Sequence, residues 1–166
     1  MVKINMMCGP SNFGTDWVHV DAQDLPHISS KDIYLAEYPD ECADLIYCSH
    51  GIAYFDREEV KALLREWARV LKPQGRLRIA TPDWDALREL PRPLIGPLYG
   101  KMNNPPIYHK TVYSYDELYH VLRAAGFIDI KRWASDFNMS YTNCDDQSVA
   151  TYDGKLISLN VQCIKP

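Results

Sequence analysis

The sequence has no C-x-x-C pair, and its five cysteines, Cys8, Cys42, Cys48, Cys144 and Cys163, are too scattered to set up a structural zinc site or a thiol redox motif. An odd set of this kind reads as free thiols in a reducing compartment. No window approaches the ~18 consecutive apolar residues of a membrane-spanning helix. The first residues, MVKINMMCGP, also lack the basic-then-apolar order of a signal peptide. A cytoplasmic protein is therefore expected, with no membrane insertion. Positive charge is not in excess either: 18 Lys and Arg stand against 22 Asp and Glu, a net charge of -4, which argues against nucleic acid or anionic lipid as partner. What is present is an ordinary globular mixture, 46% hydrophobic over 166 residues, enough for one domain (1–166) whose core needs neither disulfide nor metal. Internal repeats and low-complexity tracts are absent.

Short apolar runs alternate with helical patterns, which predicts an α/β fold with a mainly parallel sheet covered by helices. Val2 to Met7 is the first expected strand, followed by a turn-forming cluster and by Trp17 to Val20, which ends at Asp21. About ten residues separate the two, so the usual crossover helix must be very short or missing. Ala43 to Ser49 reads as a strand buried on both faces. Asp56 and Glu59 form a capping box for a helix from Arg57 to Lys72, with Val60, Leu63, Leu64, Trp67 and Leu71 on one face, and Pro73 and Gly75 end it. Arg76 to Thr81 is the next strand. Five prolines and two glycines between Pro91 and Pro106 predict a loop or lid over 91–110. Ser114 caps a helix to Ala125, and Phe127 to Trp133 and Leu156 to Ile164 are the last strands.

Open α/β sheets bind ligands beyond the carboxyl ends of their strands, which selects Asn5, Met7, Cys8 and Gly9, then Asp21, Asp32, Ser49, His50 and Asp83. A glycine-poor first turn without a following helix is a weak phosphate cradle, so a dinucleotide is disfavoured. Asp21, at the end of the second strand, is placed to accept hydrogen bonds from a ribose diol.

The runs INMMCGPSNFGTDWVHVD, EYPDECADLIYCSHGIAYF and LLREWARVLKPQGRLRIATPDW together resemble the class I S-adenosylmethionine-dependent methyltransferases, in particular small predicted sugar or cell-envelope methyltransferases that begin at their first strand. The match spans about residues 3 to 90, with REWARVLKPQGRLRIATPD its most specific part. The resemblance implies a Rossmann-like methyltransferase fold, mostly parallel with an antiparallel C-terminal strand and a minimal N-terminus. It implies S-adenosylmethionine as cofactor, held by Asn5, Met7, Cys8 and Gly9 under the methionine part, by Asp21 at the ribose, by Asp32 at the adenine with Tyr34 or Leu35 beside it, and by Ser49 and His50 at the strand end. Two departures stand out. Only the middle glycine of the family's first loop survives, as Gly9, with Met7 where another glycine is expected. The family's "S-H-x-x-E-H" reads Ser49-His50-Gly51-Ile52-Ala53-Tyr54.

For catalysis, His50 suits a general base toward an acceptor hydroxyl or, equally, a group packed beside the cofactor. His109 reaches the site from the lid or lies on the surface, and Asp83 orients acceptor or base or merely caps a turn. Asp145, Asp146 and Asp153 read as a solvated loop rather than a cation site, so no metal is expected. The tyrosines between Tyr99 and Tyr119, with Trp84, suit a carbohydrate or aromatic acceptor. The leading expectation is an enzyme methylating a small molecule or glycan, by O-methylation rather than N-methylation. The alternative is a degenerate methyltransferase fold serving as a binding or partner subunit, motivated by Met7 and the altered motif. Another nucleotide-using enzyme, an aminopropyl transferase or dehydrogenase, is disfavoured by the glycine-poor loop. With so little chain before the first strand, cover for the methionine end falls to the proline-rich lid or a second subunit of a homodimer.

Overall fold

The computed structural model describes residues 1–90, 95–100, 102–103, 106–133 and 147–166. Cys144, Asp145, Asp146 and parts of the expected 91–110 lid lie outside the described residues. Six strands form the main sheet: β1 (Lys3–Met6), β2 (Val18–Val20), β3 (Ala43–Ser49), β4 (Leu71–Pro82), β7 (Ile128–Arg132) and β10 (Ser158–Ile164). The small strands β5 (Met102–Asn103) and β6 (Pro106–Ile107) pair with each other, as do β8 (Thr151–Tyr152) and β9 (Lys155–Leu156). The helices are α1 (Glu59–Val70), α2 (Trp84–Leu87), α3 (Ile95–Tyr99) and α4 (Tyr115–Ala124). The strand order is β2-β1-β3-β4-β10-β7. β1, β2, β3 and β4 run parallel to one another, and β10 runs antiparallel to both β4 and β7.

The β1–β2 crossover carries no helix, as its length requires. It is held by side chains instead: Asn5 Nδ2 donates to Ser11 O at 3.3 Å, and Phe13 N–H donates to His19 Nε2 at 2.8 Å. Phe13 and Trp17 then fold onto Tyr47 of β3 and fill part of the sheet face that a helix would cover. The opposite face is the main core, where Ile4, Ile46, Cys48, Ile79 and Val161 meet Val60, Leu63, Leu64 and Trp67 of α1 and Leu118 and Leu122 of α4.

Asp56 Oδ1 accepts the Glu59 N–H and Glu59 Oε2 accepts the Asp56 N–H, which is the expected capping box. The helix it starts ends at Val70, two residues before the sequence pattern suggests, because Leu71 already pairs with Ala43 as the first residue of β4. The Pro73–Gly75 stretch is a register shift inside that strand, with Gln74 at φ 63. A Cβ on Gly75 would meet Lys72 O at 2.6 Å, so only glycine fits there. Ser114 and Glu117 make the second capping box as expected. Asp153 and Gly154, at φ 47 and 75, form the two-residue turn between β8 and β9, so this aspartate serves a hairpin.

Candidate functional site

A cavity of about 460 Å³ opens beyond the carboxyl ends of β1, β2 and β3. Seven of the residues selected from the sequence line it: Asn5, Met7, Cys8, Gly9, Asp21, Ser49 and His50. Asp21 sits at the centre of the loop geometry, with Gly9 N–H donating to Oδ2 and Gln23 N–H donating to Oδ1, each at 2.8 Å. Each carboxylate oxygen keeps acceptor capacity beyond that one bond. Asp32 does not line the cavity; its oxygens accept the Tyr34 and Glu37 N–H groups and cap a turn. Ile33 is the residue of that loop that reaches the cavity, while Leu35, at φ 60, is fully buried in the core.

Met7 adopts φ 49, a left-handed conformation that costs a non-glycine residue about 1–2 kcal/mol. Its side chain leans on Gly51: a Cβ there would lie 2.7 Å from Met7 Cβ and 2.9 Å from Met7 Cε. Methionine in the first loop and glycine after β3 are therefore one steric unit. The sequence held both residues, but nothing along the chain says that positions 44 apart touch. Cys8 Sγ is 3.9 Å from His27 Nε2, and burial, followed by the Asp21 charge, pushes its thiol up to about 12. It packs as a neutral group rather than a nucleophile.

His50 follows β3 at φ 57. Its Nε2 is 3.1 Å from Ser158 Oγ, and Ser158 Oγ donates to Asn160 Oδ1 at 3.1 Å while Asn160 Nδ2 donates to Ser148 O at 2.9 Å. Asn160 is thus oriented with its oxygen toward Ser158, and Ser158 Oγ links the Asn160 amide to the His50 imidazole. Ser158 and Asn160 were not selected from sequence, because they belong to the last strand and become neighbours of His50 only through the antiparallel insertion of β10 beside β4.

A second cavity of about 400 Å³ shares His50 and Tyr54 with the first. His109 lines it, its ring edge-on to Tyr54 at 4.7 Å and its Nδ1 3.3 Å from Leu98 O. Burial pulls the imidazole below its ordinary pKa. Asp83 is in neither cavity: Oδ1 accepts from Asp85 N–H and Ala86 N–H as the cap of α2, and Oδ2 pairs with Arg132 at 3.3 Å. Lys110, at the rim of the first cavity, is tied to Glu59 at 2.8 Å. Among the described residues no group of three or more His, Cys, Asp or Glu is arranged to hold a metal ion, and no helix is long and apolar enough to cross a membrane.

Residues 9–79 match a family model described as a methyltransferase domain. No curated protein matches the chain in sequence. Among solved structures, the 1,6-didemethyltoxoflavin-N1-methyltransferase of Burkholderia thailandensis, with bound 1,6-didemethyltoxoflavin and S-adenosylhomocysteine, is 16% identical over 99% of this chain and 70% of its own, with a TM-score of 0.63. An S-adenosylmethionine-dependent methyltransferase from Archaeoglobus fulgidus is 15% identical over 98% of this chain and 85% of its own, at 0.61. A putative methyltransferase of Haloferax volcanii, in complex with the Trm112 methyltransferase activator, is 14% identical over 99% and 82%, at 0.60.

Proposed function

We propose that the chain is a class I S-adenosylmethionine-dependent methyltransferase, that the first cavity holds the cofactor and that His50 faces a small-molecule or glycan acceptor, with oxygen as the methylated atom. The residues present fit the cofactor. The cavity, at about 460 Å³, is of the size that takes a nucleoside-bearing ligand. Asp21 offers carboxylate oxygens suited to a ribose diol, Ile33 an apolar surface for a base, and the Met7 thioether with Tyr47 and Tyr54 a lining suited to a sulfonium. Among the described lining residues the one lysine or arginine, Lys110, is paired with Glu59.

When bound, the cofactor supplies a methyl group that the acceptor oxygen takes, forming an O–C bond as the C–S bond breaks with its electron pair left on sulfur. What the protein contributes is placement and a proton acceptor. The observation that carries the reading is the placement of His50, which lines both cavities and lies 3.1 Å from Ser158 Oγ through Nε2, so that an imidazole stands at the boundary where an acceptor's proton would be taken. Asp83 and His109 are assigned away from proton transfer, to a helix cap and to a cavity wall. We take residues 1–166 as one domain, with the small-molecule ligand in the Burkholderia neighbour supporting a compact acceptor.

Titration with S-adenosylhomocysteine tests the cofactor site. Binding in the micromolar range, weakened at least tenfold by Asp21→Ala, is expected, and no binding at millimolar ligand overturns it. A binding or partner subunit instead keeps its biological role in the Asp21→Ala variant.

A further inference from the structure

The second cavity shares two walls with the first and reaches none of the loop after β1, so a molecule in it would meet the cofactor only across His50 and Tyr54. That is the geometry in-line transfer demands of an acceptor: the reacting atom at the boundary, the rest of the molecule behind it. Its other walls set the chemistry. Pro97, Ala150 and Ile157 are apolar, and Tyr54 and His109 present rings edge-to-face at 72°. Polar side-chain atoms are few among the described lining residues, confined to the two imidazoles and the Tyr54 hydroxyl, and two of them are engaged: His109 Nδ1 points to Leu98 O, and His50 Nε2 to Ser158 Oγ. A sugar ring would bury several hydroxyl groups here with few partners to receive them, whereas a flat ring presents apolar faces and one or two polar atoms.

We propose that the second cavity is the acceptor site and that it takes a compact aromatic compound of one or two rings, with its hydroxyl directed at His50, rather than a carbohydrate. The proposal rests on the cofactor reading above and narrows it. Burial keeps the His109 imidazole uncharged at neutral pH, which suits an uncharged aromatic neighbour. Gly100 is what lets that ring form the wall. At φ 52 it lies so close beneath the imidazole that an added Cβ would meet His109 Nε2, Cδ2 and Cε1 all within 2.6 Å. Any side chain at this position displaces His109 while leaving the Asp21 loop untouched.

The test uses the full chain loaded with S-adenosylhomocysteine and four probes: catechol, 2-naphthol, methyl α-glucoside and maltotetraose, with binding read by titration calorimetry. The aromatic pair is expected to bind at least tenfold tighter than the sugars. Gly100→Ala should weaken 2-naphthol at least tenfold and change S-adenosylhomocysteine affinity less than twofold. Ala150→Leu, which narrows the same cavity at another lining residue, should do the same if Gly100→Ala folds poorly. Equal or tighter binding of either sugar overturns the proposal, as does failure of every probe to bind, or 2-naphthol affinity indifferent to both substitutions. If 2-naphthol binds with the expected sensitivity but S-adenosylhomocysteine does not, the cavity assignment stands and the cofactor reading falls.

Discussion

At the scale of single residues, the most consequential position is Met7. The family's pattern places a glycine there, and a methionine with a positive φ looks at first like a damaged loop. The structure shows a substitution matched by another: Gly51 supplies the space into which the methionine packs, and the Met7 side chain becomes part of the wall of the first cavity. Gly51→Ala is therefore expected to destabilise the protein by about 1–3 kcal/mol through overpacking and to weaken S-adenosylhomocysteine binding. Adding Met7→Gly to that variant should recover part of both losses, since it removes the contacts with Met7 Cβ and Cε and relaxes a left-handed residue, while the 2.9 Å approach to Cys48 Sγ remains. Denaturant midpoints and ligand titration on the two single variants and the double variant read the coupling; simple additivity would contradict it.

At the scale of elements, α1 shows how a helix end organises a loop. Arg69, in the last turn, donates to Tyr38 O at 2.8 Å and Leu35 O at 2.9 Å and pairs with Asp40 at 2.6 Å and Glu66 at 2.9 Å. The two carbonyls matter most, because the carboxylates are substantially exposed and screened by solvent. Arg69→Ala should cost about 2 kcal/mol from those charge-assisted bonds, and hydrogen exchange should quicken across 33–41 while β3 stays protected. The elements were largely legible in the sequence. Both capping boxes, the apolar face of α1 and the span of β3 follow from local pattern, as does the absence of a helix between β1 and β2. The start of β4 at Leu71 was not, because pairing with Ala43 overrides the helical period. The site was legible where it depends on strand ends, as at Asp21 and Ser49. It was hidden where it depends on contacts distant in sequence: Met7 with Gly51, Tyr54 with His109, and His50 with Ser158. Asp32 and Asp83 illustrate the converse, since position near a strand end does not distinguish a ligand-facing carboxylate from one that caps its own turn.

At the scale of the whole molecule, several titrating groups bear on stability in the same direction. His19 and His109 have pKa values lowered from 6.5, chiefly by burial, so the unfolded chain takes up protons that the folded one resists. Their contribution is present above pH 6.5 and is lost as pH falls through that value. Asp44, Asp56 and Glu59 are lowered by hydrogen bonds to Lys72, to backbone N–H groups and to Lys110 respectively, and their contribution is lost only as pH drops below the ordinary carboxylate range. The thermal midpoint should thus fall in two stages between pH 8 and pH 3. A His19→Gln, His109→Gln variant should flatten the first stage and leave the second, and a single-stage profile in the native chain would argue against this division.

The position of β10 in the sheet has a further consequence, for the time at which the protein becomes competent. Of the six sheet strands it is synthesised last, yet it lies between β4 and β7 and brings the serine that fixes His50 from 108 residues away. While the chain is still being made, β4 presents an unpaired edge and His50 lacks its Ser158 neighbour. The first cavity, at β1, β2 and β3, draws most of its walls from residues before Pro82, with Ile107 and Lys110 added from later in the chain. Most of that cavity can thus take shape before the surroundings of His50 are complete, which wait on the insertion of a single strand between β4 and β7.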